Sequence, residues 1–426
     1  MDTFAIIFSA FAAIVLIFDI KIGLSLVLVY MFLVPVDFPF LFTTVNTVLQ
    51  VGIILGLFKC VISKQGRYGT FYVSPLKYLL YMYIVLFGFT LFQSYVPFGR
   101  ELQLFQNEIR LFFILPFAIW ILCERDIILL GRLNNAMLFA CSIILAYGIF
   151  LIFFSGFNPY VLYMSAISGK EISDTIMGTG EQVRLMNRIS SVFFHPMSYG
   201  VYLVMLVVYL CSLLRSKNTI LVYVLIAASV ICIFMSGVRT SIIIFVLELT
   251  TFALLTHRVK YFFYLIPLGI VGFFIISQIP ALYGTIDSIF NSNSDVGGSS
   301  IEMRLDQLDA CFDEIRDCFI FGKGYNWSEY YMEKYTSHPR LLCFESKLFS
   351  VLCNWGLAGI LIFIISYLKL IKATSRIISE QEKRALVLSL IVAFVGFCMI
   401  TGDYNYMTYF TPFFVLTVLN CRETIN

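Results

Sequence analysis

Charge is what this sequence has least of: 13% of its 426 residues are Asp, Glu, Lys or Arg, where an ordinary soluble protein has roughly 25%. With 60% hydrophobic residues, that scarcity excludes a water-soluble globular enzyme. The net charge of +3 is too small to argue for a nucleic-acid partner. No Lys or Arg precedes Lys21, so the basic start of a cleaved signal peptide is missing and the first apolar run is expected to stay as a membrane helix. The eleven cysteines contain no CxxC pair. Cys60, Cys123, Cys141, Cys211, Cys232, Cys353, Cys398 and Cys421 lie in or beside apolar runs, where a thiol is a small hydrophobe. Cys311, Cys318 and Cys343 fall in a polar loop without a His at metal-ligand spacing, so neither a disulfide framework nor a metal site is expected. The GxxxxGK[ST] phosphate loop, the GxSxG elbow and the HExxH zinc motif are all absent. An enzyme built this way needs no cofactor of its own and works on a substrate that is already activated.

What is present is apolar sequence in long runs. A span needs ~20 mostly apolar residues, so about 60% of 426 residues supplies twelve or thirteen, and the expected fold class is all-α, polytopic and integral to the membrane. The runs fall at 4–18, 22–36, 40–58, 76–96, 109–123, 134–154, 196–214, 219–235, 240–256, 261–279, 347–371, 385–401 and 406–420. The first two are short, and the Asp19 to Lys21 link between them is either a tight hairpin or a break in one tilted segment. No repeat of 20 to 50 residues appears, so residues 1–426 are expected to form one membrane domain. Counting Lys and Arg in alternate short loops puts Lys59, Lys64, Arg67 and Lys77, then Arg125 and Arg132, Arg215 and Lys217, Arg258 and Lys260, and Lys369 to Arg384 in the cytoplasm. Arg100 with Glu101, the loop 155–195, the turn 237–240, the main loop 280–346 and the turn 402–406 then face outward.

The main loop carries a helix signal. Ile301, Leu305, Leu308, Phe312, Ile315 and Phe319 recur on one stripe, Ser299 and Glu302 form a capping box, and Gly322 and Gly324 follow. The opposite face holds Glu302, Asp306, Asp309, Asp313, Glu314 and Asp317, either a solvated surface or a sugar-binding one. The helix is expected to lie over the mouth of the bundle.

Arginines at the outward edges are the candidate chemistry. Arg239, in Ser236-Gly237-Val238-Arg239-Thr240, sits in a turn between apolar runs, where a cation needs a partner. A guanidinium grips phosphate oxygens bidentately; the bland reading is snorkelling to headgroups. Arg184 and Arg188 precede the span at Pro196, and Arg304 flanks the loop stripe, so arginines from separate segments can converge on one anion or remain interfacial charges. His195, next to Pro196, is a cap or an acid-base group. Glu345 begins the apolar run of Leu348 to Leu352, and partial desolvation suits it to take a proton from a hydroxyl; the alternative is an ion pair with Lys347 or Arg340. His338 is seven residues earlier, beside Pro339 and Arg340, in what reads as an exposed turn. Tyr325, Trp327, Tyr330 and Tyr331 are sugar-stacking groups or an interfacial belt.

Four segments between Arg184 and Gly359 together resemble the bacterial O-antigen ligase and polymerase superfamily. Arg188-Ile189-Ser190-Ser191-Val192-Phe193-Phe194-His195-Pro196 resembles the family's arginine-led approach to a span, and Ser236 to Thr240 its Ser-Arg-Thr turn. Arg304 through Gly322-Lys323-Gly324-Tyr325 is similar to its Arg-led loop helix ending in Gly-x-Gly. Glu345-Ser346, followed eleven residues on by Gly356-Leu357-Ala358-Gly359, resembles its His-Asn or acidic pair before Gly-x-x-Gly. Ligases typically carry His where this chain has Glu345, which favours a polymerase.

The resemblance implies a GT-C-like glycosyltransferase of the bacterial inner membrane with its site facing the periplasm. It implies transfer of a growing glycan from polyprenyl pyrophosphate to a lipid-linked repeat unit of O-antigen, capsule or exopolysaccharide. By that resemblance Arg188 and Arg239 take the donor pyrophosphate, with Arg184, His195, His338 and Tyr325 among the substrate contacts. Arg304 takes pyrophosphate or acceptor, and Glu345 serves as base. A flippase and a chain-length regulator are the implied partners. Two readings stand beside this one: a ligase using lipid A core as acceptor, and a transporter or flippase of polysaccharide intermediates. Transport is the weaker fit, because charge gathers at one edge rather than at mid-membrane.

Overall fold

A computed structural model describes residues 2–34, 39–63, 73–93, 95–153, 158–168, 188–214, 219–257, 301–402 and 405–422. These form fifteen α-helices and, apart from one isolated bridge between His338 and Leu342, no β-structure among the described residues. The first ten are α1 (Asp2–Phe18), α2 (Ile20–Leu33), α3 (Pro39–Ile62), α4 (Lys77–Gly88), α5 (Phe98–Glu124), α6 (Leu130–Phe153), α7 (Pro159–Ser168), α8 (Pro196–Ser212), α9 (Thr219–Met235) and α10 (Arg239–Leu255). The rest are α11 (Ile301–Glu314), α12 (Trp327–Tyr335), α13 (Lys347–Ile377), α14 (Gln381–Thr401) and α15 (Met407–Cys421). Twelve of the thirteen apolar runs are helices; the run 261–279 lies outside the described residues. By length and composition α5, α6, α13 and α14 can each cross a membrane. The chain is a polytopic membrane protein.

Burial sorts the helices into layers. An apolar helix that is buried all round belongs at the centre, and one with an exposed apolar stripe at the rim. α8 is buried along almost every position from Ser198 to Leu210, and α15 from Met407 to Val418. In α9, Val222, Leu225, Cys232 and Ile233 face inward while Ile220, Tyr223, Val224 and Ile231 point out, as lipid-facing residues do. Aromatic rings lock the centre: Phe413 of α15 lies 5.1 Å from Phe32 and 5.4 Å from Tyr202, and Phe394 stacks on Phe410 at 4.1 Å.

The Asp19 link is a hairpin. Asp19 caps α2 by accepting from the Lys21 and Ile22 amides, and a Cβ on Gly23 would stand 2.6 Å from the Leu16 Cα. In a continuous helix those residues would be about 10 Å apart.

Contacts fix which helix ends share a side. Gln381, opening α14, donates to the Leu255 carbonyl closing α10 at 2.7 Å, and Gly396 abuts Ile244 and Leu247. The two helices are therefore antiparallel, and Arg239 is level with the Ile400 end of α14. Gly200 of α8 packs against Ser241 of α10, so His195 is at that end too. We call it the loop end. At the opposite end Asn134, Tyr209, Ser212 and Asn420 share hydrogen bonds of 2.7 to 3.2 Å, and Arg422 pairs with Glu124.

α13 is broken at Gly356, whose φ of 61° and ψ of −157° are not helical. Residues 357–377 alone rise about 30 Å, a full span. A straight α13 would carry Ser346 about 15 Å beyond the end of α14, yet the Ser346 hydroxyl donates to the Met399 carbonyl at 2.6 Å. The break turns residues 347–355 back across the mouth of the bundle.

Residues 319–324 fill the gap. The Leu357 and Ala358 amides donate to the Phe319 and Ile320 carbonyls at 3.1 and 3.0 Å. The Lys323 and Gly324 amides donate to the Cys353 and Asn354 carbonyls at 2.9 and 3.0 Å. Backbone groups freed by the break are thus paired across it, as a low-polarity setting demands. Side chains would not fit: a Cβ on Gly322 would lie 2.5 Å from the Trp355 nitrogen, and one on Gly356 2.5 Å from the Phe319 oxygen. The Gly-x-Gly and Gly-x-x-Gly elements interlock as backbone against backbone.

Candidate functional site

Two polar clusters stand at the loop end. The first joins residue 188 to the turn between α9 and α10. The Arg188 guanidinium donates to the Gly237 carbonyl from Nε at 3.2 Å and from Nη2 at 2.9 Å, and the Ile189 amide donates to the Met235 carbonyl at 3.3 Å. Gly237 has φ of 63°, and a Cβ there would meet the Arg188 Cγ at 2.8 Å. A glycine lets the arginine lie flat on the turn. Arg239, two residues on, opens α10 and is half-buried. The first two arginine motifs of the sequence therefore form one structure.

The second cluster joins α11 to α13 and α14. The Arg304 guanidinium stands 3.2 Å from the Glu345 carboxylate and donates to the Glu345 and Ile400 carbonyls at 3.0 and 3.1 Å. It also donates to Gln307 Oε1 at 3.0 Å. Arg304 thus covers a carbonyl at the end of α14 that the helix leaves unpaired and holds the Glu345 side chain at the same place. The sequence alternatives for Glu345 were Lys347 and Arg340; its partner is Arg304. Gln307, which the motifs do not single out, is fully buried, and its Nε2 has no hydrogen-bond partner among the described residues. A signal exists in the sequence: position 307 is one turn from Arg304 on the same helix face.

Arg340 is spent elsewhere. It bridges Asp306, Asp309 and Asp313 on the outer face of α11 at 2.7, 3.0 and 2.7 Å. Those hydrogen bonds hold its pKa above the ordinary arginine value. The acidic face of α11 is a solvated surface, with Asp306, Asp309 and Asp313 each more than half exposed, and it holds the 336–346 turn through Arg340.

Three expectations change. His338 is buried, because its Nδ1 accepts from the Leu341 amide at 3.0 Å and its Nε2 lies 3.0 Å from Glu314. Both ring nitrogens are engaged, so the exposed turn becomes an internal brace. Glu314 also pairs with Lys323. Burial acts to raise its pKa, but the Lys323 and His338 hydrogen bonds outweigh it and leave the carboxyl below its usual value. Tyr325 is 0% exposed, its ring edge-on to Phe87, Phe105 and Trp355. Its hydroxyl donates to Glu108, its amide donates to Glu101 at 2.9 Å, and burial holds its pKa far above the ordinary phenol value. A sugar cannot stack on an enclosed ring; Tyr325 anchors the loop to α5. The α11 stripe is divided: Ile315 is buried and Leu308 is packed, but Leu305, Phe312 and Phe319 are exposed. The helix turns its Gln307, Ala310 and Cys311 face inward instead, toward α13.

His195 is the N-cap of α8, its Nδ1 accepting from the Met197 amide at 3.0 Å. Arg184, Ser299 and most of the loop 155–195 lie outside the described residues. What remains are two polar groups at the loop end, Arg188 and Arg239 at the turn between α9 and α10 and Arg304 with Glu345 at the end of α14, related through the packing of α10 on α14. Such groups suit a substrate that is anionic at one point and carries hydroxyls beside it.

No curated protein matches the chain. Residues 221–364, about a third of the chain, match the family model described as O-antigen ligase. The matched segment contains Arg239, Arg304, Gly356 and Glu345 and leaves Arg188 and His195 outside it. At the level of that family the match supports a glycosyltransferase-like enzyme of O-antigen processing. Motif order and helical membrane architecture agree with that match, which makes residues 221–364 similar to the O-antigen ligase family.

Proposed function

We propose that this protein is a repeat-unit polymerase of a bacterial surface polysaccharide, with the loop end facing the periplasm. The observation that carries the reading is the Arg304 and Glu345 pair, set at the same end of the bundle as Arg188 and Arg239. An acceptor hydroxyl oxygen attacks the anomeric carbon of the donor glycan, and the bond from that carbon to the pyrophosphate oxygen breaks. The hydroxyl proton passes to the Glu345 carboxylate, and polyprenyl pyrophosphate leaves as the anion. Arg188 and Arg239 neutralise the charge that develops on the leaving group; Arg304 keeps Glu345 aimed. Fixed cations stabilise a pyrophosphate leaving group where its charge appears, and guanidinium is the side chain matched to it. The prenyl chains lie along the apolar rims of the outer helices. Residues 1–426 act as one membrane domain.

The ligase reading uses the same donor and differs in acceptor. Glu345, where ligases typically carry His, favours the polymerase. Purified protein in lipid is given a polyprenyl-pyrophosphate-linked repeat unit, alone or with lipid A core. A ladder of products from the repeat unit alone supports the polymerase. Transfer to lipid A core without a ladder supports the ligase, and movement of labelled oligosaccharide across vesicles without new glycosidic bonds supports transport.

A further inference from the structure

The break in α13 changes the setting of Cys353. In sequence it belongs to an apolar run; in the fold it sits on residues 347–355, which lie across the loop end and share a separate small core with α11 and α12. Ala310, Cys311, Ile315, Trp327, Phe349 and Cys353 are members of that core. Cys311 and Cys353 are both 0% exposed. The Cys311 Sγ is 4.0 Å from the Phe349 carbonyl, the group one helical turn before Cys353 and on the same face. Both are free thiols in this structure, and they belong to the same small core with a hydrogen-bond contact between their side chains. Cys343, by contrast, is exposed, and Cys318 is half-buried.

We infer that Cys311 and Cys353 are joined by a disulfide in the mature protein, stapling α11 to the turned-back start of α13. The inference rests on the proposed orientation, since a structural disulfide persists outside the cytoplasm. During folding, before the core closes, one thiolate attacks the disulfide of a dithiol–disulfide oxidant of that compartment. The second thiolate displaces the mixed disulfide. Two protons and two electrons leave the cysteine pair, and the oxidant departs as its dithiol.

The staple has a place in the mechanism. Arg304 is two turns before Cys311 on the inward face of α11, and Glu345 precedes Cys353 by eight residues. The disulfide and the Arg304 to Glu345 ion pair are two ties between the same pair of segments, about 10 Å apart along α11. The covalent tie fixes the register that the ionic tie needs, so Cys311 and Cys353 are positioning residues.

Protein is taken from membranes and unfolded in N-ethylmaleimide, then digested without reduction and mapped by mass. One linked peptide pair containing Cys311 and Cys353 is expected, with Cys343 carrying the maleimide. Maleimide on both Cys311 and Cys353 overturns the inference. Closure only after adding oxidised glutathione overturns it too, through the orientation rather than the geometry. In a second measurement, reduction lowers the melting temperature of the wild type by several degrees and leaves a Cys311→Ser, Cys353→Ser double variant unmoved. A wild type that melts the same with and without reductant contradicts the staple. The mass readout does not depend on polymer formation. An inactive protein with the linked pair therefore leaves the inference standing, and an active polymerase with both thiols free refutes the inference alone.

Discussion

Arg304 and Glu345 are 41 residues apart in the chain, and their side chains meet at 3.2 Å. The pair is about a quarter to a third exposed, so its net worth to folding is small, about 1 kcal/mol or less. In the proposed mechanism its worth to catalysis is set by aim rather than by binding energy. Arg304→Ala and Glu345→Gln are each expected to lower polymerisation at least about tenfold, with less than about 1.5 kcal/mol lost in stability. In a double-mutant cycle the two losses are strongly non-additive. Additive losses would separate the residues into independent roles.

Gly237 gives a sharper structural test. Its φ is 63°, and an added methyl would stand 2.8 Å from the Arg188 Cγ. Ala there carries two penalties, strain of about 1–2 kcal/mol and displacement of Arg188. Gly237→Ala should reduce activity more than stability. Gly131, in α6, has nothing within 4 Å of its Cβ position, and Gly131→Ala should be neutral or stabilise by up to about 1 kcal/mol. Parallel melting and turnover of both variants check this.

The interlock at the α13 break should be intolerant of side chains. Gly356→Ala and Gly322→Ala each push a methyl into backbone at 2.5 Å at a positive φ. A loss of at least about 2 kcal/mol is expected for each. Hydrogen exchange of the Leu357 and Ala358 amides, which donate to the Phe319 and Ile320 carbonyls, reports it locally. Unchanged protection in either variant would mean that the strap is not held as described.

Glu314 predicts an acid limit for the loop. Its pKa is lowered in the fold, so the unfolded chain binds the proton more readily. Its contribution is present above the ordinary carboxylate value of 4.5 and is lost as pH falls below that value through the lowered one. Wild type should lose melting temperature across that acid window, and Glu314→Gln should start lower and fall less. Equal slopes would remove Glu314 from the acid limit.

Much of the fold is legible in the residues. Apolar runs of span length declare the helices because a bilayer leaves few alternatives, and the Asp19 link is one of the two options its residues allow. The loop helix does start at Ile301, but its buried face differs from the apolar stripe: at a membrane surface Leu305, Phe312 and Phe319 need not turn inward, so stripe and packing face separate. The α13 break is hidden because Gly356 sits in an unbroken apolar run and its neighbours' hydrogen-bond partners are Phe319 and Ile320, over thirty residues earlier. Long-range pairing of that kind has no periodicity to betray it. At the site, the arginine motifs are legible singly, since Arg beside an apolar run calls for a reason. That Arg188 lies on the Gly237 turn, that Arg304 holds Glu345, and that Tyr325 belongs to the interior against Glu101 and Glu108 are facts of the tertiary contacts.

The central claim is that fixed guanidinium groups at the loop end carry the transfer of glycan off pyrophosphate. The direct measurement is polymer formation by purified protein from a polyprenyl-pyrophosphate-linked repeat unit, comparing the wild type with Arg239→Lys at matched folding. Lysine keeps the charge and loses the bidentate fork. The account predicts a ladder from the wild type and a loss of at least about tenfold from Arg239→Lys, about 1.4 kcal/mol or more in the barrier. Full polymerisation by Arg239→Lys, or no ladder from a folded wild type, would contradict it.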